Sequence, residues 1–237
     1  MIFYELVVSF MIFEKIKIFD GFMKAGIYTF VNPYSYLKIR NYARVDKIDS
    51  IMVDGIVAVI IFKLLGFKCK RQSFDMTSLA PMVFKWASEE NKKIALIGAQ
   101  IGVAEKAAQF FIGQYPAANF TYIRDGYFKN DAEFSECARY LSAHVKPDIV
   151  IVGMGAPLQE EFLVELKSLG WQGLGFTCGG FLHQTACKGI KYYPDTINKL
   201  NLRWVYRMYD EPKLIKRYVF DYPKFFFFVV YDLLKKK

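Results

Sequence analysis

Cys69, Cys137, Cys178 and Cys187 are the only four cysteines, and no two of them form a CxxC pair. That absence excludes a dithiol redox motif or a zinc ribbon and leaves free thiols in a reducing compartment as the default. The trio Cys178, His183 and Cys187 has no recognised ligand spacing and no fourth member, so no metal is expected there. No strand is followed by GxGxxG and no segment reads as a P-loop, which argues against a dinucleotide-dependent oxidoreductase and against ATP use. A DxD-type acidic cluster is missing as well. No uncharged run reaches the roughly 20 residues that cross a bilayer. The apolar start MIFYELVVSFMIF carries Glu5, no basic flank and no small-residue cleavage site, so it does not read as a signal peptide.

What is present describes a folded chain: 237 residues, 54% hydrophobic, 18% aromatic and 23% charged. The net charge of +9 is unevenly placed. Residues 199–237 hold ten Lys/Arg against four Asp/Glu, together with eleven aromatics that include the run Phe225–Phe228. A basic, aromatic tail fits an anionic membrane surface, on which the protein would lie rather than span. The alternative is a solvated face over a few core aromatics. Nucleic acid is not expected as a partner, because the tail has no RNP-like spacing.

Along the chain, the first thirty residues suggest a strand pair leading into Ile27–Val31, stopped at Asn32-Pro33. A helix over Tyr34–Arg44, a strand at Ser50–Val53 and a helix from Ile56 to Leu65 follow. Thr77 or Ser78 is placed to cap a helix running to Glu90, with Pro81 in its first turns. Strands at Lys93–Ile97, Phe120–Arg124, Asp148–Val152 and Gly173–Phe176 then alternate with helices at Val103–Tyr115, Asp131–His144 and Leu158–Leu169. This alternation predicts an α/β fold, a Rossmann-like, mostly parallel sheet with helices on both faces. After Tyr193-Pro194 the pattern changes to basic helices. The expected division is an α/β core over residues 1–195 and a basic, helical C-terminal appendage over residues 196–237, associated with the membrane.

Ligands of open parallel sheets sit outside the carboxyl ends of the strands. Three loops fall there: Val53-Asp54-Gly55, Gly98–Gly102 and Gly153–Gln159, and all three are expected to line one crevice. Asp54 ends an apolar strand beside Gly55, which suits a general base and equally suits a helix N-cap. The Gly98–Gly102 turn opens a helix whose free N–H groups could hold a phosphate, or it is simply a tight turn. Gly155 belongs to a two-glycine turn, and Gln159, in the first helical turn, can direct a donor and an acceptor into the crevice or, as a polar first-turn residue more often does, simply meet solvent.

Several stretches resemble the WecG/TagA/CpsF glycosyltransferase family: FVNP (Phe30–Pro33), VDGIV (Val53–Val57), LIGAQIGVAEKAA (Leu96–Ala108), RDGYF (Arg124–Phe128), IVIVGMGAPLQEEF (Ile149–Phe162) and LRWVYRMYDEPKLIKRY (Leu202–Tyr218). They keep the family's order along nearly the whole chain. The resemblance implies that Asp54 is the catalytic base and Gln159 the active-site glutamine. It also implies that Arg203, Arg207 and Arg217 are basic residues supplied to the site by the appendage. The family's active-site cation matches either Lys70 or Arg71, and Asn32 matches its asparagine. Where the family has Thr two residues before that asparagine, this chain has Phe30, with Thr29 one step off. The family's Gly-Gly-x-Phe-Asp stretch appears as Gly179-Gly180-Phe181-Leu182-His183. These positions leave the sugar open.

The implied reaction moves a hexose, N-acetylhexosamine in the family's precedent, from a nucleotide sugar to a polyprenyl-diphosphate-linked sugar, with inversion and without metal or cofactor. Substrate contacts are expected at Asn32, Lys70 or Arg71, Gly98, Gly102, Gly155, Arg203, Arg207 and Arg217. The expected location is the inner face of the cell membrane, with homo-oligomerisation left open. A non-catalytic membrane-docking protein of the same fold is the rival reading.

Overall fold

The computed structural model describes residues 11–200 and 202–234. The core is one six-stranded sheet in which each neighbouring pair runs parallel. Its strands are β1 (Gly26–Val31), β2 (Ser50–Val53), β3 (Lys93–Gly98), β4 (Asn119–Arg124), β5 (Ile149–Gly153) and β6 (Leu174–Thr177), in the spatial order β2-β1-β6-β5-β3-β4. The helices are α1 (Pro33–Ile39), α2 (Ile56–Leu64), α3 (Ala80–Glu89), α4 (Val103–Gln114), α5 (Asp131–Tyr140), α6 (Leu158–Ser168) and α7 (Phe181–Lys188). Beyond them come α8 (Asp195–Lys199), α9 (Arg203–Asp210) and α10 (Tyr222–Leu234).

Side chains of a strand alternate between faces, and here the alternation sorts the apolar residues into two cores. Ile27, Val31, Ile51, Val53, Ala95, Ile97, Val150 and Val152 face α1, α2, α5 and α6. Tyr28, Phe30, Met52, Ile94, Leu96, Ile149, Ile151 and Phe176 face α3, α4 and α7. The strands inside the sheet are buried on both faces, as the sequence pattern predicts, while the edge strand β4 is only partly covered.

Three local expectations need correction. The expected strand pair lies partly in residues 1–10, outside the described residues, but residues 11–15 are helical. A helical turn lets the adjacent Ile12 and Phe13 both enter the core, which a strand would forbid, and Phe13 stacks on Phe67 at 5.4 Å. The helix expected over Tyr34–Arg44 stops at Ile39, where Arg40 turns inward to an ion pair and the chain winds through successive turns to Val45. Neither Thr77 nor Ser78 caps α3, which begins only at Ala80. Asp75 captures this segment first, accepting from the Thr77 N–H at 2.7 Å and the Ser73 hydroxyl at 2.6 Å.

The C-terminal helices are not laid loosely on this core. In α10, Phe225, Val229 and Asp232 form one buried stripe, and Phe225 packs on Tyr36 and Phe62 at ring distances of 5.2 and 5.7 Å. Asp232 receives the Tyr36 hydroxyl at 2.8 Å and pairs with Arg40 at 2.6 Å, both partners buried. Phe226, Phe227 and Leu234 of the same helix face outward. Among the described residues no helix is long and apolar enough to cross a membrane. The closing basic run, Lys235–Lys237, lies outside the described residues.

Candidate active site

A cavity of about 630 Å³ opens at the carboxyl ends of β2, β1, β6 and β5. Asn32, Asp54, Arg71, Gly155, Gln159, Arg203, Arg207 and Arg217 all line it. Two of the three expected loops therefore meet there. The third does not, because β3 lies beyond β5 in the sheet. Gly98 and Gly102 are absent from the cavity wall. A Cβ on Gly98 would stand 2.5 Å from the Gly153 carbonyl oxygen, so this glycine permits two loops to stack. Ala99 N–H then bonds Gly153 O at 3.0 Å, and Gly126 N–H bonds Ala99 O at 2.9 Å. The loops after β3 and β4 buttress the loop after β5 from behind.

Asp54 follows β2, and its backbone N–H bonds Val31 O at 2.8 Å. The N-cap position of α2 is Gly55, at φ 81°, with no side chain capping the helix, so Asp54 is not its cap. Asp54 forms part of the cavity wall. Burial and the neighbouring Asp75 push its carboxyl above the usual aspartate range, while Arg71 and Arg203 pull it back. A carboxylate desolvated in this way is a stronger base than one in water.

Lys70 and Arg71 are placed differently. Residues 70–72 run beside the end of β2, with Arg71 bridged to Val53 and Gln72 N–H on Val53 O at 2.9 Å. In an extended segment neighbours point oppositely. Arg71 lines the cavity, Gln72 turns to Phe19, and Lys70 is exposed.

The three appendage arginines are not equivalent. Arg203 is held by the protein itself: Nη1 on Asp75 at 3.2 Å, Nε on Asn198 at 2.7 Å, a bond to Thr77, and its guanidinium over the Tyr193 ring. Arg207 reaches Glu211 at 3.3 Å, yet its buried Nε has no partner among the described residues. It lies beside Gly180 at the start of α7. Arg217 stacks over the Tyr34 ring at 3.7 Å. Tyr193, Tyr218 and Tyr222 share the cavity, and burial pushes all three phenols up, so they remain neutral hydrogen-bond donors. Asn32 lends its Oδ1 to the Tyr34 and Ser35 N–H groups as the cap of α1, which leaves its NH₂ for a ligand.

Gln159 is buried, with Oε1 accepting the Gly179 N–H at 3.2 Å and Nε2 donating to Glu160 at 3.1 Å. Sequence reasoning missed Asp75, Glu160, Trp204, Tyr218, Tyr222 and Glu211. Asp75 alone carried a local signal, since Ser-Phe-Asp-Met-Thr is an Asx-turn pattern. Among the described residues no three His, Cys, Asp or Glu side chains cluster as a metal site would require.

Residues 14–237 match the Glycosyl transferase WecG/TagA/CpsF family. A Shigella boydii protein named UDP-Gal:alpha-D-GlcNAc-diphosphoundecaprenol beta-1,4-galactosyltransferase is 39% identical over 212 residues, covering 89% of this chain and 88% of its own. A Bacillus subtilis N-acetylglucosaminyldiphosphoundecaprenol N-acetyl-beta-D-mannosaminyltransferase is 26% identical over 211 residues, covering 87% and 80%. A Staphylococcus aureus protein of that same name is 34% identical over 134 residues, covering 56% and 50%.

Proposed function

Since this chain belongs to the WecG/TagA/CpsF glycosyltransferase family, we propose that it moves a hexose from a UDP-sugar onto N-acetylglucosamine linked through diphosphate to a polyprenol, in cell-surface polysaccharide synthesis. The observation that carries this is the pairing, in one cavity, of the desolvated Asp54 carboxyl with Arg71, Arg207 and Arg217. Asp54 takes the proton of the acceptor hydroxyl as its oxygen attacks the anomeric carbon. The bond to the departing UDP breaks, and the growing diphosphate charge meets the guanidinium groups. Arg207, with its unpartnered Nε, is the first candidate for that contact. Arg203 acts instead as the strut that ties α9 to Asp75.

We infer galactose as the transferred sugar, in place of the N-acetylhexosamine expected from the family's precedent. The support is the galactosyltransferase relative, which is the more similar over nearly the full chain. UDP-galactose holds its sugar in an α-linkage, and that relative's name specifies a β product. One base and one departing diphosphate give a single displacement and hence inversion. The cavity supplies its own positive charge, so the reaction is proposed to need no metal.

The proposed role of residues 196–237 is double: to bring the cations to the cavity and to lie on an anionic membrane at the cytoplasmic face. The outward Tyr209, Val219, Phe220, Phe226 and Phe227 are the apolar part of that contact.

The deciding experiment incubates the purified protein with a synthetic GlcNAc-diphosphate-polyprenol and, in separate reactions, UDP-galactose, UDP-glucose, UDP-GlcNAc and UDP-ManNAc. Mass spectrometry should show the gain of one hexose from UDP-galactose. A gain only from UDP-ManNAc or UDP-GlcNAc would overturn the sugar assignment, and no gain from any donor would overturn the acceptor or the activity.

A further inference from the structure

Behind the cavity wall lies a polar cluster that the reaction scheme leaves unused. Glu160, 1% exposed, follows Gln159 in the first turn of α6 and does not line the cavity. Its Oε1 accepts two hydrogen bonds, from the Thr29 hydroxyl at 2.6 Å and from Gln159 Nε2 at 3.1 Å. Thr29 thereby spends its proton on Glu160, so the 2.9 Å contact between the Thr29 and Thr177 hydroxyls must run with Thr177 as donor. The chain of bonds has one direction, Thr177 to Thr29 to Glu160, and Gln159 enters it from the cavity side. Thr29 and Thr177 stand on β1 and β6, the two central strands under the site.

Resting on the glycosyl-transfer reading above, we propose that Glu160 is a positioning residue: its carboxyl fixes which end of the Gln159 carboxamide faces which neighbour, and so which polar atoms Gln159 offers the substrate. A glutamine amide is nearly symmetric in shape and can flip. Here one end must accept the Gly179 N–H, and the other is required to donate because Glu160 Oε1 is an acceptor. Gln159 is left with one N–H and one carbonyl lone pair for the cavity.

The surroundings of Glu160 shift its carboxyl toward the neutral form. Glu160 Oε2 is buried without a hydrogen-bond partner among the described residues. The ionisable groups beside it are Tyr42, whose hydroxyl is bonded to Glu161, and Glu161 itself, which is paired with Arg44. Neither supplies a cation to Glu160. Burial pushes the Glu160 carboxyl up, and its bonds from Thr29 and Gln159 only partly offset this.

The test compares Glu160→Gln, Glu160→Met and Gln159→Ala with the double variant Glu160→Met/Gln159→Ala. Glu160→Gln keeps the Oε1 acceptor and cannot ionise, while Glu160→Met keeps the volume and removes the acceptor. Expected is kcat/KM within about threefold of wild type for Glu160→Gln and a loss of roughly ten- to hundredfold for Glu160→Met; in the Gln159→Ala background that loss should shrink to below about twofold. A second readout needs no activity: the side-chain amide signals of Gln159 in nitrogen-15 spectra, assigned by their loss in Gln159→Ala. They should exchange slowly with water in wild type and Glu160→Gln, and quickly in Glu160→Met. The proposal fails if Glu160→Gln is as damaging as Glu160→Met, if the loss is undiminished in the Gln159→Ala background, or if the amide exchanges equally slowly in every Glu160 variant. A wild type that transfers no sugar overturns the functional reading alone, and the exchange data still decide the positioning role.

Discussion

Replacing Asp54 by Asn should weaken catalysis and strengthen the fold at once. Asn is isosteric and keeps the backbone bond to Val31 O, so the loop geometry and α2 should persist. It cannot take a proton from the acceptor hydroxyl. Loss of a general base costs about 10²–10⁴-fold in turnover, or roughly 3–5 kcal/mol of barrier. The stability effect follows from the raised carboxyl. Folding buries Asp54 near Asp75, so the native state holds this proton more tightly than the unfolded chain does. The stability linked to that proton is fully present below the unfolded pKa, about 3.9, and is lost as pH rises through the higher native value. Asn never ionises. The Tm advantage of Asp54→Asn over wild type should therefore be absent in strong acid, appear as pH rises through the native pKa, and hold at neutral pH. Transfer by wild type should fall on the acid side at a pH above the ordinary aspartate range. Differential scanning fluorimetry across pH, with transfer rates on the same preparations, measures both. Near-normal turnover in Asp54→Asn, or a Tm deficit that widens toward alkaline pH, would refute the reasoning.

Arg207→Ala should lower kcat/KM by about 10²-fold or more, the scale of a lost preorganised charge contact, and Arg207→Lys should restore little, since a lysine lacks the second fixed donor; equal activity in all three would return Arg207 to a structural role. Transfer should persist in excess EDTA, because the arginines meet the leaving charge; loss of activity that Mg²⁺ or Mn²⁺ restores would sink the metal-free scheme. Asp232→Ala removes the carboxylate that Tyr36 and Arg40 bond and should destabilise the whole chain by about 1.5–3 kcal/mol, the scale of a lost charged hydrogen bond, at roughly 2–4 °C per kcal/mol for a chain of this size; an unchanged Tm would show that α10 is not pinned. Intact protein should float with anionic liposomes at low salt and partly detach at high salt; a folded protein that stays at the bottom of the gradient contradicts the membrane role.

The sheet was legible because every β–α unit carried both an apolar strand and a Gly or Pro boundary. Ser50–Val53 coincides with β2, and that alone placed Asp54 at a carboxyl end. The crevice itself was only partly legible. Sequence order does not reveal that β6 inserts between β1 and β5, and this insertion brings Thr177–Gly180 into the site while leaving Gly98–Gly102 outside. Glu160 was invisible for a different reason. A Glu in a first helical turn ordinarily meets solvent and favours the helix dipole, and here the Thr29 hydroxyl and the Gln159 amide make its burial tolerable. The run Phe225–Phe228 has no period to read. Which rings go inward is decided by Tyr36, Phe62 and Arg40, some two hundred residues away.

The appendage's cations line the cavity, so the site is complete only when residues beyond 200 are in place. They are kept in place from both ends. Arg203 is tied to Asp75 in the segment between α2 and α3, and α10 is bolted to α1 through Asp232, Arg40 and Tyr36. Cutting the chain before α9 would uncover Phe62 and Tyr36 and remove the Asp232 carboxylate from Arg40, so insoluble protein is expected rather than a soluble core. The same helix turns Phe226 and Phe227 outward, less than one helical turn from the buried Phe225 and Val229. On the proposed membrane reading, the docking face and the cavity's cations therefore belong to one rigid unit. Contact with the lipid surface would fix the height of Arg207 and Arg217 relative to a diphosphate anchored in that surface. Salt should accordingly lower transfer to a lipid-anchored acceptor more than transfer to a short-chain, water-soluble one, and equal sensitivity of the two would break the argument.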